Sequence, residues 1–130
     1  MGSYIPYHKP SIDKAKEITK DAKTTLEKYK IITKYVNWHF VYDYIRAIKI
    51  AKNGAKPDIE HAWKWHMGIC NDIAAMTTGM MRAVGIDAKM CVGHTDRTYH
   101  AWVEADIDGK HYRFDHRGKA KSYKVEKTYI

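Results

Sequence analysis

The chain has 130 residues, 45% of them apolar, and 23 Lys plus Arg against 15 Asp plus Glu give a formal net charge of +8. That length fits one domain, and the composition excludes a disordered, collagen-like or repeat protein. Two cysteines do not make a disulfide scaffold, and no apolar run approaches the roughly 20 residues that span a bilayer.

Residues 1–10 read as a leading tail and residues 11–130 as one domain. Met1-Gly2-Ser3 looks like a start added for expression, which leaves the compartment open. It is secreted or cell-surface if an export signal has been removed, and cytoplasmic otherwise. Ser11, between Pro10 and Ile12-Asp13, is the expected N-cap of a helix that persists to about Tyr35, with one break near Thr24-Thr25. Lys9, Lys14, Lys16, Lys20, Lys23, Lys28, Lys30 and Lys34 interleave with Asp13, Glu17, Asp21 and Glu27, the pattern of a solvated helix face. No recognised motif accompanies the positive charge, so no nucleic-acid partner is expected.

Ile31, Ile32, Tyr35 and Val36 give that helix an apolar side. The aromatic stretch from Asn37 to Tyr44 is expected to be extended. Residues 45–60 hold Asn53-Gly54 and Pro57, which mark a turn and a loop. His61 to Met67 carries two Trp and two His and leads into Gly68. From Cys70 the pattern changes: Ile73, Met76, Met80 and Val84 recur at helical spacing, and Gly85 follows as a helix stop. A largely buried helix over 70–84 is expected, with Gly79 tolerated inside it.

Beyond Gly85 the chain reads as strands. Ala88, Met90 and Val92 alternate with Lys89 and Cys91, and Asp108-Gly109 joins Tyr99–Ile107 to Lys110–Asp115 as a hairpin. Helices followed by an antiparallel sheet make an α+β architecture.

A two-residue turn at Asp108-Gly109 fixes the register. Ile107 then faces Lys110, Val103 faces Phe114 and Ala105 faces Tyr112, which makes one side of the hairpin apolar. The other side sets Glu104 against Arg113 and Trp102 against Asp115. His100 and Asp115 become diagonal neighbours, within reach of each other as imidazole and carboxylate. Cys70 stands at the expected start of the buried helix, where unpaired N–H groups and the dipole stabilise a thiolate or an oxyanion. A nucleophilic thiol needs a base and a group that orients the base, and His100 and Asp115 fit those roles. A structural cysteine beside an idle His–Asp pair is the plainer reading.

Cys91 and His94 form one Cys-x-x-His pair, too few ligands for a structural zinc site, and no metal or other cofactor is expected. Trp63, Trp65 and Trp102 are candidates to line a substrate groove, although core packing accounts for such aromatics equally well.

Several stretches, taken together, resemble the transglutaminase-like (papain-like) cysteine enzymes. They are Gly68-Ile69-Cys70-Asn71-Asp72, Met81-Arg82-Ala83-Val84-Gly85-Ile86-Asp87-Ala88, Val92-Gly93, Tyr99-His100-Ala101-Trp102-Val103-Glu104 and Tyr112-Arg113-Phe114-Asp115. They stand in the family's order and cover about residues 65–118. Tyr35-Val36 and Phe40 to Asp43 resemble the family's upstream segment less specifically. Two departures are His116, where relatives carry proline or a small residue, and Met76-Thr77-Thr78 in place of an aliphatic run.

The resemblance implies a papain-like core, with N-terminal helices and a central Cys-bearing helix packed on an antiparallel sheet. It implies Cys70 as nucleophile, His100 as general base and acid, and Asp115 as the orienting carboxylate. An upstream side chain near the oxyanion is also implied, for which Trp65, His66 and Tyr42 are unranked candidates. The implied reaction is acyl transfer from a protein or peptide amide through a thioester. The preferred outcome is hydrolysis by a peptidase or amidase; the alternatives are a cross-linking transglutaminase and a non-catalytic module that binds protein or polyanions. Oligomeric state is left open.

Overall fold

The expected break near Thr24 is a boundary between two helices. In this computed structural model, which describes residues 5–45, 47, 57–96, 99–116, 118 and 120–129, helix α1 spans Lys9–Ile18 and α2 spans Thr25–His39. Thr24 caps α2 by accepting the Glu27 N–H at 3.1 Å. The cap of α1 is not Ser11. His8 holds that position and accepts the Ser11 N–H through Nδ1, because the helix starts earlier and places Ser11, buried, in its first turn. The stretch from Asn37 is likewise not extended at its start: α2 runs on through His39, and only Val41–Tyr42 forms a strand, β1.

Asn53-Gly54 lies outside the described residues. The segment re-enters at Pro57, and Asp58 caps α3, Ile59–Trp65, by accepting the His61 N–H at 3.0 Å. His66 adopts a left-handed conformation that ends α3 and turns the chain into β2, Met67–Gly68. Strand β2 pairs in parallel with β1, setting Tyr42 beside Gly68. No helix among the described residues is long and apolar enough to cross a membrane.

Helix α4, Cys70–Ala83, is the centre of the molecule. Ile73, Met76, Met80 and Met81 are buried in the same cluster as Ile32 and Val36 of α2. Gly85, at φ 87°, takes the left-handed turn after its end. Four strands then form one antiparallel sheet: β3 (Asp87–Thr95), β4 (Tyr99–Ile107), β5 (Lys110–Phe114) and β6 (Tyr123–Tyr129), ordered β5-β4-β3-β6.

Ala88, Met90 and Val92 pair with Ala105, Val103 and Ala101, and this apolar side joins the α4 cluster. Asp108 and Gly109 both have positive φ, 52° and 79°, as a tight two-residue hairpin turn requires. The register is the expected one, with Ile107 opposite Lys110, Glu104 opposite Arg113 and Val103 opposite Phe114. Strand β6 adds to the sheet through β3, across a register shift at Val92/Gly93. The result is the α+β arrangement expected from the sequence: a helical layer with the Cys-bearing α4 packed on an antiparallel sheet.

Candidate active site

Cys70 is the first residue of α4 and is half-buried. Its position is set by what precedes and follows it. A Cβ on Gly68 would lie 3.0 Å from the Asp72 Cβ and 3.2 Å from that of Ala62, so glycine lets α3 and α4 approach closely just before the cysteine. Asp72, fully buried, accepts the Ile69 N–H at 3.0 Å through Oδ2 and the Asp58 N–H at 2.8 Å through Oδ1. One carboxylate therefore ties the start of α4 to the start of α3. Its acidic character in the first helical turn also suits the helix dipole.

His100 lies near the start of β4 and Asp115 directly follows β5. The hairpin register makes them neighbours: His100 Nε2 lies 2.8 Å from Asp115 Oδ1, and both side chains are buried. Cys70 acts on the same imidazole from α4. With Nε2 engaged by Asp115, Nδ1 is the ring nitrogen left for the sulfur. Burial pulls the His100 ring towards the neutral form. The hydrogen bonds and negative charge of Asp115 and Cys70 outweigh it and raise the ring to about 9. An imidazolium poised between a sulfur and a carboxylate is the state this arrangement favours.

Tyr42, Cys70, His100, Trp102, Asp115 and His116 line one shared cavity, floored by apolar side chains of α4, β4 and β5. Of the candidates for groove or oxyanion roles, Tyr42 and Trp102 are in this lining, and Trp102 is buried. Trp65 is not: it ends α3 with 59% of its surface exposed and Lys64 over its ring. His66 also lies away from the cavity lining, stacked on Phe40 at 5.0 Å. His116, the departure after Asp115, sits 2.8 Å through Nε2 from the Phe40 carbonyl and ties the end of the hairpin to the end of α2.

Two residues of this region were given no role from the sequence. Asp72 is one; its spacing from Cys70 is visible, but its link to Asp58 crosses fourteen residues. The other is Tyr123 on β6, whose hydroxyl donates to Asp115 Oδ2 at 2.9 Å. Cys91 and His94 do not converge on a common ligand: Cys91 is buried beside Thr128, and His94 pairs with Glu126 at 2.9 Å.

No curated protein sequence is detectably similar to the chain. Solved structures that share its fold include the following three. A "putative cysteine protease" from Cytophaga hutchinsonii is 20% identical, with TM-score 0.71 over 92% of this chain and 40% of its own. A "putative protease" from Parabacteroides distasonis is 21% identical, with TM-score 0.65 over 82% of this chain and 23% of its own. A structure named as a TGase is 20% identical, with TM-score 0.67 over 92% of this chain and 32% of its own. The chain thus spans less than half the length of each. The family model of the transglutaminase-like superfamily matches residues 12–116, which include α4 and the hairpin, and the chain belongs to that superfamily.

Proposed function

We propose that the protein is a cysteine-nucleophile acyl-transfer enzyme that hydrolyses amide bonds in protein or peptide substrates, with Cys70, His100 and Asp115 as its triad. The observation that carries the reading is the buried 2.8 Å His100–Asp115 contact, with Cys70 acting on the same imidazole and all three lining one cavity. The Cys70 sulfur, as thiolate, attacks the amide carbonyl carbon, and the oxygen takes up negative charge. First-turn N–H groups of α4 and the Tyr42 side chain at the cavity wall supply donors and dipole for that oxygen. As the C–N bond breaks, His100 Nδ1 gives its proton to the leaving amine and a thioester remains. Water then attacks the thioester, His100 takes its proton, and the acid leaves as the sulfur is regenerated. Asp115 holds the imidazole in orientation and stabilises its charged form throughout.

A second reading shares every step up to the thioester. One structural neighbour is named a TGase; if a lysine amine replaces water, the same triad joins proteins instead of cutting them. Mass spectrometry of a Gln-rich protein incubated with enzyme and a primary amine, beside Cys70→Ala, separates the two. Cys70-dependent cleavage or deamidation supports the hydrolase, and Cys70-dependent amine incorporation supports the transglutaminase. A product pattern identical to that of Cys70→Ala across a broad substrate panel would refute both and favour a non-catalytic binding module.

A further inference from the structure

We infer that Tyr123 is a positioning residue for the triad, its hydroxyl locking the Asp115 carboxylate against His100. The inference rests on the triad reading of Cys70, His100 and Asp115. It goes beyond the family match, which ends at residue 116, so nothing in that match assigns a role to β6.

Asp115 lies outside the strand ladder, since β5 ends at Phe114. A carboxylate on a loop can rotate about its own bonds, and one hydrogen bond to His100 does not fix its plane. The structure engages both oxygens on opposite sides: Oδ1 with His100 Nε2 at 2.8 Å, and Oδ2 with the Tyr123 hydroxyl at 2.9 Å. The phenol is itself held in place. Its oxygen accepts the Ala120 N–H at 2.7 Å, and its ring meets Trp102 edge-on at 4.8 Å. The Arg113 guanidinium lies over that ring at 4.1 Å. Burial pushes the Tyr123 phenol above its ordinary value, which keeps it a donor across the neutral range.

The titratable and charged groups that face this assembly are His100 on β4, Arg113 on β5 and, through His100, Cys70 on α4. Glu104 accepts from Arg113 at 3.2 Å and from the Trp102 indole at 2.7 Å, which holds the guanidinium and the indole to one carboxylate. Loss of the Tyr123 hydroxyl therefore acts on Asp115 first, while the Arg113 and Trp102 contacts to the ring survive in Tyr123→Phe.

Two readouts test this in the native protein, Tyr123→Phe, Asp115→Ala and the double variant. One is the rate of Cys70 alkylation by iodoacetamide at mildly acidic pH, followed by peptide mapping. The other is the His100 ring titration by NMR. Tyr123→Phe should slow alkylation about tenfold, the scale of a hydrogen bond to a charged group, and move the His100 midpoint to lower pH. In the Asp115→Ala background, where no side-chain acceptor is left for the hydroxyl, the same substitution should change neither. An equal loss in both backgrounds would assign Tyr123 to packing and overturn the inference, as would an unchanged His100 midpoint. Native Cys70 reacting no faster than free cysteine would be a separate result, overturning the triad reading itself.

Discussion

Asp72 and Asp58 are joined across two helix starts: the Asp72 carboxylate accepts the Asp58 backbone N–H at 2.8 Å while its second oxygen caps its own helix at Ile69. The side chain is fully buried, so each bond is made away from water. Replacing Asp72 by Ala removes both acceptors and leaves two N–H groups at the helix starts without them. The expected loss is about 3 kcal/mol of stability, read as a lower urea midpoint at unchanged slope.

His100, raised by Asp115 and Cys70 together, makes stability depend on pH. Its folded value of about 9 lies above the ordinary 6.5, so the protonated ring stabilises the fold fully below about pH 6.5. That contribution, on the order of 3 kcal/mol for a shift of this size, is lost as pH rises through about 9. Urea midpoints should therefore fall across this alkaline window. In Asp115→Asn the fall should be much shallower; an equally steep fall would place its origin elsewhere.

The two cysteines should behave differently towards an alkylating reagent. Cys91 is buried, and burial, followed by the nearby Glu104 charge, pushes its thiol up, away from the reactive thiolate. Intact-mass and peptide analysis at neutral pH should find label on Cys70 alone. Label on Cys91 is expected only once denaturant has opened the sheet.

Thr77 offers a stabilising change. It is fully buried in α4, and its hydroxyl has no hydrogen-bond partner among the described residues. Thr77→Val keeps the branched shape and removes the unsatisfied group, so thermal unfolding should shift upward by the equivalent of about 1 kcal/mol.

Gly93 is required by the backbone of the neighbouring strand. A Cβ there would lie 2.0 Å from the Lys124 carbonyl oxygen, at the register shift where β6 meets β3. Gly93→Ala should force β6 outward and destabilise the fold by about 2 kcal/mol. Because β6 carries Tyr123, the variant should also slow Cys70 alkylation, measured under conditions where the protein remains folded.

The site was legible where local chemistry sets geometry. Asp108-Gly109 permits the two positive-φ residues of a tight turn, and that alone brings His100 to Asp115. The helix from Cys70 and its stop at Gly85 followed from periodicity and a left-handed glycine. What escaped depends on long-range pairing. Strand β6 joins β3, not its sequence neighbour β5, so no hairpin turn announces it. Its Lys-rich surface hides Tyr123 among residues that read as solvated. The start of α1 was misplaced because an imidazole, His8, replaces the usual hydroxyl or carboxylate cap. Trp65 reads as a groove residue by its chemistry, yet the left-handed His66 leaves it at the exposed end of α3.

Among the described residues β6 is an edge strand with one partner, and Lys124, Val125, Glu126, Lys127 and Thr128 along it are exposed. Charged, exposed edges resist pairing with other chains, but an edge strand also opens more readily than the interior of its sheet. Such an opening would carry the Tyr123 hydroxyl away from Asp115 while α4 and the hairpin stay folded. Hydrogen exchange at the β6 amides is thus a clock for the site, reporting how often its aspartate is released while the rest of the molecule stays closed.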